Sequence, residues 1–131
     1  MMPRSRKARR RAYWRGLWAE RMAALMLILK GYRIVQFRAR TGMGEIDIIA
    51  RRGRVLVFAE VKSRKKGATA EAVHPAQAAR LVRAGNAFLA KNPHFADFDI
   101  RFDVILSGGF FWPRHIKSAW IADSDHKTAV F

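Results

Sequence analysis

The chain contains no cysteine, which excludes disulfide cross-links, zinc–thiolate centres and a thiol nucleophile, and fits a reducing compartment. Acid is almost as scarce. Ten Asp and Glu stand against 26 Lys and Arg in 131 residues, a formal charge of +16. No apolar run exceeds Met22-Ala-Ala-Leu-Met-Leu-Ile-Leu29, far short of the roughly 20 residues needed to cross a bilayer. Glu20-Arg21 precede that run, Lys30-Gly31-Tyr32-Arg33 follow it, and no small-x-small cleavage site lies near. The run therefore reads as a buried helix rather than a signal or a span, and a cytoplasmic location is expected. Nucleotide-binding motifs are missing too. Gly42-x-Gly44 lacks a third glycine and leads into an acid-bearing strand, and there is neither a Walker lysine nor Gly-x-Ser-x-Gly.

What is present is a core. Half the residues are apolar, enough for one domain at this length. Residues 1–15 hold Arg4, Arg6, Lys7, Arg9, Arg10, Arg11 and Arg15 and no acid, and read as a basic, flexible tail on a single domain over 16–131. Nineteen basic residues still oppose ten acidic ones in the remainder, so the body itself is basic. Such an excess points to a polyanionic partner, nucleic acid first and an anionic membrane surface second. The membrane is set aside because the basic and apolar segments are sequential rather than on opposite faces of one helix, and the expected partner is nucleic acid, DNA ahead of RNA.

The pattern predicts a helix from about Ala12 to Lys30, stopped by Gly31 and apolar most of the way round, as in a helix covered on several sides. A strand follows over Tyr32–Arg40, then a turn at Thr41–Gly44. Two β-rich runs, Glu45–Arg51 and Arg54–Ser63, form a hairpin. After a basic loop over 64–69, Ala72–Lys91 is a second helix ended by Asn92-Pro93. Ile100–Leu106 and part of 110–121 complete five strands, with Pro113 placing the last at an edge. The expected fold is one α/β domain with a mixed sheet flanked by helices.

With so few acids, their positions carry information. Glu45 and Asp47 fall inside a strand, and Glu60 inside Val55-Leu-Val-Phe-Ala-Glu-Val61. A buried carboxylate must find a cation, a metal or hydrogen bonds. Alternation puts Glu45, Asp47 and Ile49 on one face, and Leu56, Phe58, Glu60 and Lys62 on one face of the next strand. A turn at Gly53-Arg54 would set Asp47 opposite Glu60 and Glu45 opposite Lys62; a turn at Arg52-Gly53 would set Asp47 near Phe58. Glu20 shares a helix face with Ala23, Ala24 and Leu27, from which it could reach the pair. Two such acids and a lysine suit a metal-dependent phosphodiesterase: carboxylates hold Mg²⁺ or Mn²⁺, and Lys62 orients water or offsets charge on phosphorus.

These residues resemble a known family. Glu20-x-x-Ala23-x-x-x-Leu27-x-x-x-Gly31-Tyr32, Gly44-Glu-Ile-Asp-Ile-Ile49, Val57-Phe-Ala-Glu-Val-Lys-Ser-Arg64 and Arg101-Phe-Asp-Val104 are similar, in order, to the bacterial YraN-like family, from about Gly16 to Trp120. The resemblance implies the restriction-endonuclease-like, PD-(D/E)xK fold, a distant similarity to archaeal Holliday junction resolvases, and Glu20, Asp47, Glu60 and Lys62 as the acid, acid, acid and lysine of the site. Ala19 replaces a usual glycine, and Gln77 a usual lysine on the second helix, where it can assist only as a neutral hydrogen-bonding group. The implied activity is Mg²⁺-dependent cleavage of branched DNA, in which a two-fold substrate would call for a homodimer. The alternative is a non-catalytic nucleic-acid-binding protein on the same fold.

Other residues have plainer readings. His74, His94, His115 and His126 lack metal-ligand spacing and read as surface or structural groups. Arg101 and Asp103 share a strand face and read as an internal ion pair. Phe110, Phe111, Trp112 and Trp120 read as edge-strand core or a dimer contact ahead of base stacking, and Arg64, Lys65 and Lys66 as a loop beside the site, either solvated or in contact with phosphate.

Overall fold

The computed structural model describes residues 5–63, 75–108 and 111–118. In chain order they form α1 (Arg6–Leu29), β1 (Arg33–Thr41), β2 (Gly44–Arg52), β3 (Val55–Ser63), α2 (Pro75–Lys91), a short 3₁₀ turn at Pro93–Phe95, β4 (Asp99–Gly108) and β5 (Phe111–Ile116). The five strands lie side by side in sequence order. Neighbours are antiparallel except β3 and β4, which are parallel; α2 lies in the connection between them, since a parallel pair needs a long crossover.

Each helix covers one face. Along β3, Val57 and Ala59 join Ala23, Ala24, Met26 and Leu27 of α1, with Ile48, Ala50 and Ile105. Leu56 and Phe58 join Leu81, Ala84 and Phe88 of α2, with Ile46, Ile49 and Phe102. A strand buried on both faces reads as the near-continuous apolar run seen at 55–61. The alanines of α1 face alanines of the sheet, and the buried Ser107 hydroxyl donates to the Ala19 carbonyl at 2.7 Å, joining α1 to β4.

Two helix expectations need correction. The first helix begins at Arg6, not near Ala12, so most of the segment read as a tail is helical; Arg, Lys and Ala are good helix formers, and no proline interrupts them after Pro3. Nor is α1 covered all round by the described residues: Trp18, Leu25, Ile28 and Leu29 are exposed. The second helix is described from Pro75 onward, so an earlier start at Ala72 lies outside the described residues.

The β2–β3 hairpin turns at Gly53-Arg54. Arg52 pairs with Val55 and the register runs unbroken to Ile48 opposite Ala59. Gly53 has φ 60 and Arg54 is not left-handed, as expected of a two-residue turn with glycine first. Pro113 sits, as expected, on edge strand β5, where the pairing shifts between Leu106 and Gly108. Among the described residues no helix is long and apolar enough to cross a membrane.

Candidate functional site

The site lies where β2 and β3 part. Their ladder ends at Ile48–Ala59, and there the Asp47 side chain takes over from backbone: its Oδ2 accepts the Val61 N–H at 2.8 Å. Beyond this point the strands frame a cavity of about 250 Å³ lined by Gly44, Glu45, Asp47 and Glu60 and, from α2, Gln77, Arg80 and Leu81. The hairpin has thus brought Asp47 to Glu60, the meeting that the Gly53-Arg54 turn allowed.

The chemistry of that meeting is visible in Asp47. Burial, a hydrogen bond with the Glu60 carboxyl and the Glu60 charge raise its pKa from 3.8 to about 7, against the Val61 N–H that favours the ionised form. Two carboxyl groups this close cannot both hold a bare charge cheaply; one keeps a proton unless a cation replaces it. Gln77 adds a second unmet demand. Its Oε1 is buried without a hydrogen-bond partner, and buried oxygens of this kind are ordinarily satisfied.

This donor set fits the implied metal. Two carboxylates and an amide oxygen are hard ligands, and Mg²⁺ commonly takes one or two carboxylates and fills its remaining positions with water and substrate phosphate. Among the described residues no three His, Cys, Asp or Glu gather into a metal cluster; the Gln77 amide is a further oxygen donor that the cavity lining offers beside Asp47 and Glu60.

Other residues expected at the site stand elsewhere. Glu20 does not line the cavity; its carboxylate is held by Arg38 Nε at 2.9 and 3.3 Å. Its helix covers the sheet face opposite to α2, whose residues line the cavity. Arg38, which falls between the pairs Phe37–Ile48 and Ala39–Ile46, has φ 48, and Ile46 consequently packs on the α2 side although Ile48, two residues on, packs on the α1 side. The strict alternation expected of β2 fails at Asp47. Lys62 is half-buried on β3 opposite Leu106 and does not line the cavity. Glu45 pairs with Arg40 at 3.3 Å, not with Lys62, because the ladder ends before reaching them. Arg64, Lys65 and Lys66 lie outside the described residues.

Arg80 was missed. Nothing in the spacing of α2 distinguishes it from the other surface arginines, and only the packing of that helix across the β2–β3 opening places it there.

A second polar cluster is structural. Asp103, fully buried, accepts from Arg101 Nη2 at 2.8 Å and from the Ser118 N–H at 3.0 Å, with His115 Nε2 at 2.6 Å. Burial alone would raise its pKa, but the His115, Arg101 and Ser118 hydrogen bonds outweigh it and hold the group below 3.8. Lys30 Nζ lies 3.0 Å from His115 Nδ1; an ammonium can only donate, so Nδ1 accepts and Nε2 carries the proton toward Asp103. The internal ion pair and the structural histidine are both as expected.

Fold and cavity define an α/β protein with a five-stranded mixed sheet and two helices, consistent with a restriction-endonuclease-like fold. The chain belongs to uncharacterised protein family UPF0102, whose model matches residues 19–106, bearing out the resemblance of its motifs. A UPF0102 protein of Parvibaculum lavamentivorans is 54% identical over 110 residues, covering 83% of each chain. One from Maricaulis maris is 43% identical over 116 residues, covering 88% of this chain and 91% of its own. Among solved structures, Pyrococcus furiosus SfsA in complex with Ca²⁺ overlaps 72% of this chain and 58% of its own, at 15% identity and a TM-score of 0.31, a likeness too slight to carry any argument.

Proposed function

We propose that this protein is a divalent-metal-dependent endonuclease acting on structured or branched DNA in the bacterial cytoplasm. The observation that carries the reading is the Asp47–Glu60 carboxyl pair beside the unpartnered Gln77 amide oxygen, set in a chain of charge +16. Asp47, Glu60 and Gln77 would hold Mg²⁺ or Mn²⁺. When bound, the ion would lower the pKa of the attacking water and offset charge on the phosphate. Val61 fixes the Asp47 carboxylate through its N–H. Lys62, two residues beyond Glu60 on the same strand, would have to reach in from outside the cavity lining to offset charge at the transition state. Glu20, held by Arg38, would act on the site through β1 rather than as a ligand.

The test is cleavage of labelled single-stranded, duplex, flap and four-way-junction DNA, with an RNA duplex beside them, under Mg²⁺ or Mn²⁺. Cutting of a branched substrate is expected, together with loss of cutting but retained binding in Asp47→Ala. Unchanged cutting in that variant would end the proposal.

One observation favours a second reading, a non-catalytic nucleic-acid-binding protein. The commitment of Glu20 to Arg38 leaves the cavity one acid short of the three implied by the family pattern. That reading expects strongly salt-dependent binding and no turnover with any metal.

A further inference from the structure

We propose that Arg80 anchors a substrate phosphate in the Asp47–Glu60 cavity, so that the site receives a phosphodiester between a divalent cation and this guanidinium. The proposal rests on the metal reading above and adds its anionic half.

Arg80 shares the cavity with Glu45, Asp47 and Glu60 but forms no hydrogen bond or ion pair among the described residues. Arginines beside acids elsewhere have closed their pairs: Arg38 with Glu20, Arg40 with Glu45, Arg54 with Asp97 and Arg101 with Asp103. Arg80 is therefore available at its tip while its stem is held. It lies across the bare backbone of Gly44, where an added Cβ would come within 3.2 Å of Arg80 Cγ and 3.5 Å of Cδ. Gln77 and Arg80 are three residues apart on α2, so one helix face presents both an oxygen acceptor toward the cation and a guanidinium donor.

The charges select the ligand. A divalent ion cancels Asp47 and Glu60, and Arg40 already offsets Glu45. Arg80 then remains as the net positive charge of the site, matched to the single negative charge of a phosphodiester. A guanidinium offers parallel N–H donors spaced for two phosphate oxygens, which a lysine cannot reproduce. Cation and guanidinium on opposite sides of one phosphate would favour the charge that develops in displacement at phosphorus.

The experiment compares wild type, Arg80→Ala, Arg80→Lys and Arg83→Ala, the last an exposed arginine of α2 that does not line the cavity. Binding of a fluorescein-labelled four-way junction is followed by anisotropy across a salt series, in Ca²⁺ and in EDTA. Mn²⁺ binding by each chain, and by Asp47→Ala, is followed by electron paramagnetic resonance. In Ca²⁺, Arg80→Ala is expected to bind about tenfold more weakly and to lose about one from the slope of log affinity against log salt. Arg80→Lys should recover part of the affinity, and Arg83→Ala should stay within twofold of wild type. In EDTA the Arg80→Ala difference should vanish, which loss of a generic surface charge would not produce. Mn²⁺ binding should survive in Arg80→Ala and disappear in Asp47→Ala. Equal junction binding by wild type and Arg80→Ala in Ca²⁺ overturns the Arg80 proposal alone. Mn²⁺ binding that persists in Asp47→Ala, or is absent from wild type, overturns the metal reading and this proposal with it.

Discussion

Replacing Asp47 with Asn is expected to stabilise the metal-free chain at neutral and alkaline pH, and to remove its stabilisation by Mg²⁺. The side chain is mostly buried, and its pKa stands at about 7 in the folded chain against 3.8. The folded state therefore holds a proton that the unfolded state has released. Stability falls as pH rises between those two values, by about 1.4 kcal/mol per unit, and levels off above the upper one. Below about pH 4 both states are protonated and the effect is absent. Asn cannot ionise, yet it preserves the contacts of protonated Asp47: its carbonyl can accept from the Val61 N–H and its amide can donate to Glu60. Its advantage over wild type should thus grow by about 2–3 kcal/mol from pH 5 to pH 8. Urea unfolding followed by tryptophan fluorescence at both pH values, with and without Mg²⁺, reads this directly. Wild type should gain stability from Mg²⁺ at pH 8, since a bound cation replaces the shared proton, and Asp47→Asn should not. An Asn variant no more stable than wild type at pH 8, or equally stabilised by Mg²⁺, would refute the reasoning.

Asp103→Ala should destabilise the fold by about 3–5 kcal/mol, because it leaves the Arg101 guanidinium without its counter-charge and the His115 Nε2–H without its acceptor. A urea-midpoint loss equivalent to less than about 1 kcal/mol would count against that cluster as a structural lock. Since the Asp103 pKa is held below 3.8, its contribution should be complete above that value and disappear as pH falls through the lowered folded value, a loss of acid stability absent from the Asp103→Ala chain. Gly44→Ala places a side chain at φ 139 and against Arg80, and should cost about 1–3 kcal/mol. In a double-mutant cycle, adding Arg80→Ala should recover only the steric part of that cost, and full recovery would show that the backbone is unstrained there.

Much of this protein is legible without coordinates. The apolar run at 55–61, preceded by Gly53, specifies a buried strand and its hairpin partner, but two placements of the turn stood open, and only the pairing of Arg52 with Val55 brings Asp47 to Glu60 rather than to Phe58. The strand and the hairpin depend on neighbours in the chain, where backbone geometry and side-chain period leave little choice. The +16 charge is an equally local fact. Tertiary structure decided the rest. One residue at φ 48, Arg38, stands where the alternation of β2 against β1 fails, and the packing of α1 on the face away from the cavity left Glu20 to pair with Arg38 rather than with the acids. The crossing of α2 brought Gln77 and Arg80 over the opening between β2 and β3, and the return of β5 delivered His115 to Asp103. These contacts join segments far apart in sequence, and their geometry follows from how two helices settle on a twisted sheet, which no periodicity within either segment encodes.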